Sequence, residues 1–177
     1  MTTDVIVVNG GSSSGKSGIV RCLQRILPQP WISMGVDDLI ARLPPGLLDS
    51  GEGISYGPDG EVVLGEEWRT IETAWTKGIA AMARAGARII VDDVFLAGRP
   101  SQERLRGHLD GLEVLWVGVR CAPGAAAARE VARGDRPPGM AALQAEAVHR
   151  GVVYDVEVDT THTESLDCAR TIARHVS

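Results

Sequence analysis

The sequence has few of the features that mark secreted, membrane-spanning or nucleic-acid-binding proteins. It contains three scattered cysteines, no Cys-x-x-Cys pair, and a formal net charge of −5. Such cysteines argue against a disulfide framework or a zinc site and favour a reducing compartment. The acidic balance gives no reason to expect DNA or RNA as a partner. The N-terminal apolar run, Val5–Val8, is too short for a signal peptide or a membrane span, so we expect a cytoplasmic protein with no membrane partner.

Short apolar segments recur along the chain and predict the strands of a buried parallel sheet. They are mostly apolar on both faces, as expected for strands that helices cover on both sides. A weaker candidate strand is Trp31–Met34. The stronger segments are Val5–Val8, Arg88–Val91, Val114–Val119 and Val152–Val158.

Segments with helical spacing separate these strands. Apolar residues recur at this spacing from Lys16 to Leu27, before Pro28, and from Trp68 to Met82, before Gly86. Strands that alternate with helices predict an α/β domain over residues 1–177, with a five-stranded parallel sheet between two helical layers. Further helices are predicted over Leu39–Leu43, Gly124–Arg133, Ala141–Arg150 and Glu164–His175.

Residues 44–65 interrupt this alternation. The segment is rich in Gly, Pro and Asp, and its turn sequence GPDG predicts a small hairpin from Ile54 to Leu64. A long insertion between a strand and a helix often carries substrate contacts. It can equally be a surface loop without such a role, and the sequence leaves both interpretations open.

The strongest motif is the segment GGSSSGKS, which matches GxxxxGK[ST] between a β-branched strand and an amphipathic helix. Glycines allow the tight turn that points backbone N–H groups at phosphate oxygens, and the helix N-terminus adds a positive dipole end. Lys16 would contact the β- and γ-phosphates, and the Ser17 hydroxyl would bind Mg²⁺. We therefore predict ATP or GTP binding, because such a loop reads phosphates and not the base. The loop residues are Gly10, Gly11, Ser12, Ser13, Ser14, Gly15, Lys16 and Ser17.

An acidic pair, Asp92 and Asp93, follows the strand Arg88–Val91. P-loop proteins usually place a Mg²⁺-binding Asp at the end of a second buried strand, and Asp92 is the candidate. Because successive strand side chains point in opposite directions, only one of the two is expected to face the metal. The alternative is a helix cap or a turn residue.

A second acidic pair, Asp37 and Asp38, follows the weaker strand, and ligands of an open α/β sheet bind beyond such strand ends. A carboxylate there could orient an acceptor hydroxyl and accept its proton, which predicts a catalytic role for Asp37. Either side chain could instead cap the helix predicted from Leu39.

Arginines precede a Pro-Pro-Gly break within residues 129–140. A helix, a break and then arginine is the pattern of a small kinase lid, whose guanidinium groups cover the phosphates and neutralise charge. Arg133 and Arg136 are therefore predicted to bind nucleotide and to assist catalysis. The alternative is a solvated helix face with i,i+4 ion pairs.

Together these features predict a phosphotransferase that moves a γ-phosphate to a small molecule. A metabolic kinase and a nucleotide-binding regulatory module stay open as alternatives. A GTPase-type switch would need a base-reading NKxD motif, and the sequence contains none.

Several segments together resemble the chloramphenicol phosphotransferase family over nearly the whole chain. They are GGSSSGKSGIVRCLQ, MGVDDLI, GARIIVDDVFL, VLWVGVRC, REVARGDR and GVVYDVEVDTTHTES. The resemblance implies a fold of nucleoside-monophosphate-kinase type, ATP with Mg²⁺, phosphorylation of a primary hydroxyl of chloramphenicol, and inactivation of that antibiotic. It also allows a homo-oligomer.

Site residues carry over by position. Lys16 and Ser17 match the family's phosphate-loop residues, Asp37 its proposed catalytic base, and Arg133 and Arg136 its lid arginines. The segment Leu43–Gly65 departs from the family's pattern. The departure bears on the acceptor and not on the phosphate chemistry, so the alternative acceptor is another antibiotic, such as a capuramycin-type nucleoside.

Overall fold

The computed structural model describes residues 2–48, 53–57, 61–134 and 139–177. Five of its strands form a parallel sheet in the order β2-β5-β1-β6-β7, and β3 pairs with β4 in a separate antiparallel hairpin. This confirms the predicted α/β fold with a five-stranded parallel sheet. In chain order, the strands are β1 (Val5–Asn9), β2 (Trp31–Gly35), β3 (Ile54–Tyr56), β4 (Val62–Leu64), β5 (Arg88–Asp93), β6 (Val114–Arg120) and β7 (Val156–Asp159).

Helices cover the sheet and connect its strands. They are α1 (Lys16–Ile26), α2 (Val36–Ile40), α3 (Pro45–Leu48), α4 (Glu66–Arg84), α5 (Arg99–His108), α6 (Pro123–Arg133), α7 (Met140–Ala147) and α8 (Ser165–Ala173). Within the described residues, none of these helices combines the length and the apolar composition that a membrane crossing requires.

The strand β1 shows why the sheet needs a helical layer on each face. Its side chains alternate, so Ile6 and Val8 pack with α1 and α8, whereas Val5 and Val7 pack with α4 and α5. All four are almost fully buried. Burial of each side chain contributes about 1.5–3 kcal/mol to folding, so the one strand β1 stabilises the packing of a helical layer on each of its faces.

The helix α5 was not predicted. Its sequence, RPSQERLRGH, is largely polar, and its buried residues are Gln102 and Leu105. Two buried positions do not produce a visible apolar period, so the spacing gives no helical signal. The side chain of Gln102 instead exchanges two hydrogen bonds with the backbone of Val153, at 2.6 and 3.0 Å.

The strand predicted over Val152–Val158 is too long at its N-terminal end, since β7 begins at Val156. Tyr154 packs its ring over Gly118, where an added Cβ would lie 2.8 Å from the ring. The Asp155 carboxylate accepts the N–H of Trp116 at 2.7 Å. Apolar composition alone could not distinguish this packed turn from a strand.

The helix after β2 begins at Val36, so the predicted helix start at Leu39 was wrong. Asp37 and Asp38 therefore lie in the first helical turn. Asp38 Oδ2 accepts the N–H of Gly35 at 2.7 Å, so Asp38 caps the helix from its third position and does not precede a helix that starts at Leu39. The hairpin predicted over Ile54–Leu64 forms as β3 and β4, and its turn at 58–60 lies outside the described residues.

Candidate active site

The phosphate loop, Gly10–Ser17, joins β1 to α1 in a conformation that its sequence permits. Gly15 has φ 88° and Ser13 has φ 57°, both in the left-handed region. At Gly10, an added Cβ would lie 2.7 Å from the carbonyl oxygen of Val119. Glycine at position 10 is thus required by the close approach of β6, and the loop rests directly on the sheet.

Lys16, Ser17 and Asp92 meet at the C-terminal edge of the sheet. The buried Lys16 Nζ donates to the carbonyl oxygens of Gly10 (2.9 Å) and Gly11 (3.1 Å), and it lies 3.7 Å from Asp92 Oδ1. Ser17 Oγ donates to Asp92 Oδ2 at 3.3 Å. The parallel register, which pairs Val8 with Asp92, brings this carboxylate beside the loop.

The two carboxylates of the pair have different surroundings. Burial raises the pKa of Asp92, and the Lys16 ammonium and the Ser17 hydroxyl act against that rise. Asp93 Oδ1 accepts the N–H of Val94 at 2.6 Å, and burial raises its pKa as well. Asp92 is therefore the member of the pair that contacts Lys16 and Ser17.

The donor set of Ser17 and Asp92 fits a hard cation. Mg²⁺ usually binds one or two protein oxygens and takes its other ligands from water and substrate phosphates. Within the described residues, His, Cys, Asp and Glu side chains form no group of three that could hold a metal by themselves. A hydroxyl and a carboxylate beside a phosphate loop could therefore hold Mg²⁺ together with a nucleotide.

Two loop hydroxyls, Ser13 Oγ and Ser14 Oγ, are buried and have no hydrogen-bond partner in the described part of the chain. Leaving a buried hydroxyl unpaired costs about 1–3 kcal/mol. Oxygen atoms of a bound phosphate would satisfy such groups. The loop therefore fits an anionic ligand by its free hydroxyls as well as by its glycines and lysine.

A cavity of about 710 Å³ opens over the loop. Its lining brings together most of the predicted site: the loop from Ser12 to Ser17, Asp37, Asp92 and Arg133. The same cavity is lined by a second surface, which we call the apolar wall. It consists of Val36, Ile40, Ile54, Val62, Leu64 and Trp68.

The predicted lid is described only in part, because Arg136 lies outside the described residues with positions 135, 137 and 138. Arg133, the last residue of α6, lines the cavity. One turn earlier, Arg129 Nη2 donates to the carbonyl oxygen of Thr160 at 2.6 Å, and Nη1 lies 3.3 Å from Thr160 Oγ1.

Sequence reasoning missed several polar residues around the cavity. Thr160 Oγ1 donates to the carbonyl oxygen of Ser14 at 2.7 Å, and Gln144 Oε1 accepts the N–H of Ser12 at 2.8 Å. Glu72 lines the cavity, and burial and the nearby Asp93 charge raise its pKa. Thr160 follows a strand end, which is a usable signal, whereas no motif marks Gln144 or Glu72.

The fold and the cavity define the class of the protein. A GxxxxGKS loop between β1 and α1 opens into a cavity that also contains carboxylate and guanidinium groups, on a five-stranded parallel sheet. This is the architecture of a P-loop kinase, a class of protein that transfers a phosphoryl group from a bound nucleotide.

The chain belongs to the chloramphenicol phosphotransferase-like family, whose model matches residues 3–177. This confirms the family resemblance. Proteins named "Putative O-phosphotransferase" from two Mycobacterium tuberculosis strains are each 33% identical to it over 178 residues, covering 94% of this chain and 79% of their own length.

Solved structures of kinases share the fold. A gluconokinase from Sinorhizobium meliloti 1021 has a TM-score of 0.63 at 22% identity, covering 96% of this chain and 89% of its own. The Mycobacterium tuberculosis APS kinase in complex with AMPPNP and APS has a TM-score of 0.63 at 13% identity, covering 98% of this chain and 96% of its own. At these identities the likeness concerns the fold alone, and it confirms the predicted α/β fold. The family and its O-phosphotransferase relatives identify the chain as a small-molecule kinase that transfers a phosphoryl group to an alcohol.

Proposed function

We propose that this protein is an ATP-dependent O-phosphotransferase that inactivates an antibiotic, with chloramphenicol as its acceptor. The observation that carries the proposal is a single cavity lined by the phosphate loop, by the apolar wall and by Asp37. Family membership over residues 3–177 supports the same activity. We also propose that residues 1–177 act as one domain, with 44–65 on the acceptor side and 129–140 as the lid.

The charge of the acceptor side favours an uncharged substrate. The described cavity residues from α2, the hairpin, α4 and the end of β5 include no Lys or Arg. They do include carboxyl groups, Asp37 and Glu72 among them. A metabolite that carries a carboxylate or phosphate would find no basic partner among these residues, and such groups need one when they leave water. Arg21, which also lines the cavity, belongs to α1. A neutral alcohol with an apolar body would bind without that cost.

The proposed chemistry is a direct in-line transfer. The oxygen of the acceptor hydroxyl bonds to the γ-phosphorus while Asp37 accepts the hydroxyl proton. The bond from that phosphorus to the ADP oxygen breaks in the same step. Lys16, Arg133 and Arg136 stabilise the negative charge on the transferred group. Ser17 and Asp92 would hold Mg²⁺, which neutralises phosphate charge when bound. Positioning these groups supplies most of the rate acceleration.

The test is an acceptor screen with purified protein, Mg²⁺ and ATP, read by mass spectrometry as the gain of one phosphoryl group. Chloramphenicol leads the panel, beside capuramycin-type and other nucleoside antibiotics, neutral nucleosides, and a sugar acid as the anionic comparison. A gain on chloramphenicol is the expected result. A gain on another antibiotic alone would keep the kinase and replace the acceptor, whereas a gain on the sugar acid alone would contradict the proposal.

A further inference from the structure

The helix α7 makes hydrogen bonds on each side of Gly10 and Gly11, with Ser12 of the phosphate loop and with Asn9 at the end of β1. Gln144 Oε1 accepts the N–H of Ser12 at 2.8 Å, and Asn9 Nδ2 donates to the carbonyl oxygen of Val148, the α7 C-cap, at 2.9 Å. Both side chains are buried. A Cβ added to Gly11 would lie 3.1 Å from the Cβ of Gln144, so the helix is packed directly against the loop.

The other end of α7 is fastened to α6 by one buried carboxylate. Glu130 is 3% exposed. Its Oε2 accepts the N–H of Gly139 at 2.8 Å, and its Oε1 accepts the N–H of Ala141 at 2.7 Å. Charge-assisted bonds to the first amides of a helix are among the stronger hydrogen bonds in proteins. They hold the start of α7 in place relative to α6.

These contacts form a continuous connection from the phosphate loop to Arg133. It runs from Ser12 to Gln144, along α7 to Glu130, and then along α6, whose last residue is Arg133. The contact of Gln144 with Ser12 is therefore one of two routes that place the last turn of α6 relative to the phosphate loop. The other runs from Arg129 through Thr160 to Ser14.

We propose that Gln144 is a positioning residue that sets the place of Arg133 relative to the phosphate loop. The inference rests on the proposed binding of ATP by that loop. The Gln144 amide oxygen binds Ser12 without adding negative charge to a cavity that must accept phosphates. Loss of this acceptor would remove one of the contacts between the loop and α7, leave the hydrogen bond of Asn9 to Val148 in place, and shift Arg133 relative to the bound nucleotide, a kind of misplacement to which such sites are sensitive.

The test is a double-mutant cycle read by calorimetric binding of Mg²⁺-AMPPNP, which requires no acceptor. Gln144→Met removes the acceptor atom and nearly keeps the volume. We expect it to weaken binding about fivefold to tenfold, as loss of one buried hydrogen bond implies. In an Arg133→Ala background the same change should weaken binding by less than about twofold. Leu143→Ala, at an exposed neighbouring position of α7, is the matched control and should change nothing.

Equal effects of Gln144→Met in both backgrounds would overturn the inference, because a purely structural role is additive. Unchanged binding in the single variant would overturn it as well. If Gln144→Met fails to fold, Glu130→Gln tests the other end of the connection and should show the same non-additivity with Arg133→Ala. Wild-type protein that binds no Mg²⁺-AMPPNP would overturn the proposed function, and this inference with it.

Discussion

The phosphate loop and the apolar wall line one cavity but are built in different ways. The loop is held by backbone geometry and by hydrogen bonds, such as those from Lys16 Nζ to the carbonyl oxygens of Gly10 and Gly11. The wall is made of aliphatic and aromatic side chains from α2, the hairpin and α4. The loop therefore depends on backbone geometry, whereas the wall depends on exchangeable side chains, which under the proposed function would select the acceptor.

Asp37 is in neither region, but it lies in the first turn of α2 and lines the same cavity beside Val36 of the wall. Substitution of Asp37 therefore has the largest expected effect on activity. Asp37→Ala should lower kcat by about 10²- to 10⁴-fold, the range of general-base catalysis, with the Kd for Mg²⁺-AMPPNP nearly unchanged. Steady-state kinetics with the acceptor identified in the screen, and calorimetry for the nucleotide, measure the two quantities.

The comparison for this variant is Asp38→Ala. Asp38 accepts the N–H of Gly35, so its loss should cost about 1 kcal/mol of unfolding free energy and much less in kcat. If the two variants lowered kcat equally, both carboxylates would act only through the helix start. Asp37 would then lose its assignment as the base.

The difference between the regions also explains what the sequence could predict. One sequence motif marks the loop with Lys16 and Ser17, and one strand end marks Asp92. The parallel register of β1 and β5 then brings Asp92 beside the loop. The wall has no such rule, because Ile54, Leu64 and Trp68 meet only after the hairpin folds onto α4. Gln144 was missed for a related reason: its partner Ser12 is 132 positions away, and no local pattern marks the pair.

A buried side chain near the phosphate loop, the imidazole of His149, has a charge state that should affect the stability of the protein. Asn9 Nδ2 donates to Tyr154 Oη at 2.6 Å, so the Tyr154 O–H is left to donate to His149 Nδ1, also 2.6 Å away. Burial, and next the charge of Arg120, lowers the pKa of His149 from 6.5 to about 4. The imidazole is therefore neutral in the folded protein at neutral pH.

This depressed pKa gives the second prediction. The contribution of His149 to stability is fully present above pH 6.5 and is lost as the pH falls towards 4, because the unfolded chain takes up the proton first. The loss amounts to about 3 kcal/mol. His149→Gln keeps an acceptor for the Tyr154 O–H and cannot be protonated. Urea unfolding from pH 7 to pH 4 should therefore show a smaller loss for the variant than for the wild type.

The difference between the two proteins is the quantity to compare, because the cavity carboxyls act in the opposite sense. Burial raises the pKa values of Glu72, Asp92 and Asp93, so their contribution is full at low pH and is lost as the pH rises through those values. These contributions are common to wild type and variant and cancel in the difference. Equal pH dependence in both proteins would show that His149 does not titrate as the burial implies.

The smallest effect belongs to the apolar wall and tests whether it acts on the acceptor alone. Leu64→Ala removes three carbons from the cavity lining, and at about 0.8 kcal/mol per buried methylene the loss of contact with about two of them should raise the KM for the acceptor about tenfold. The value of kcat and the Kd for Mg²⁺-AMPPNP should stay within about twofold, which is the sign of lost ground-state binding. Val63→Ala is the matched control: Val63 is the next residue of β4, points to the opposite face and is 48% exposed. If Leu64→Ala weakened nucleotide binding as much as acceptor binding, the wall and the loop would be one coupled unit, and acceptor specificity could not change without a cost to the phosphate chemistry.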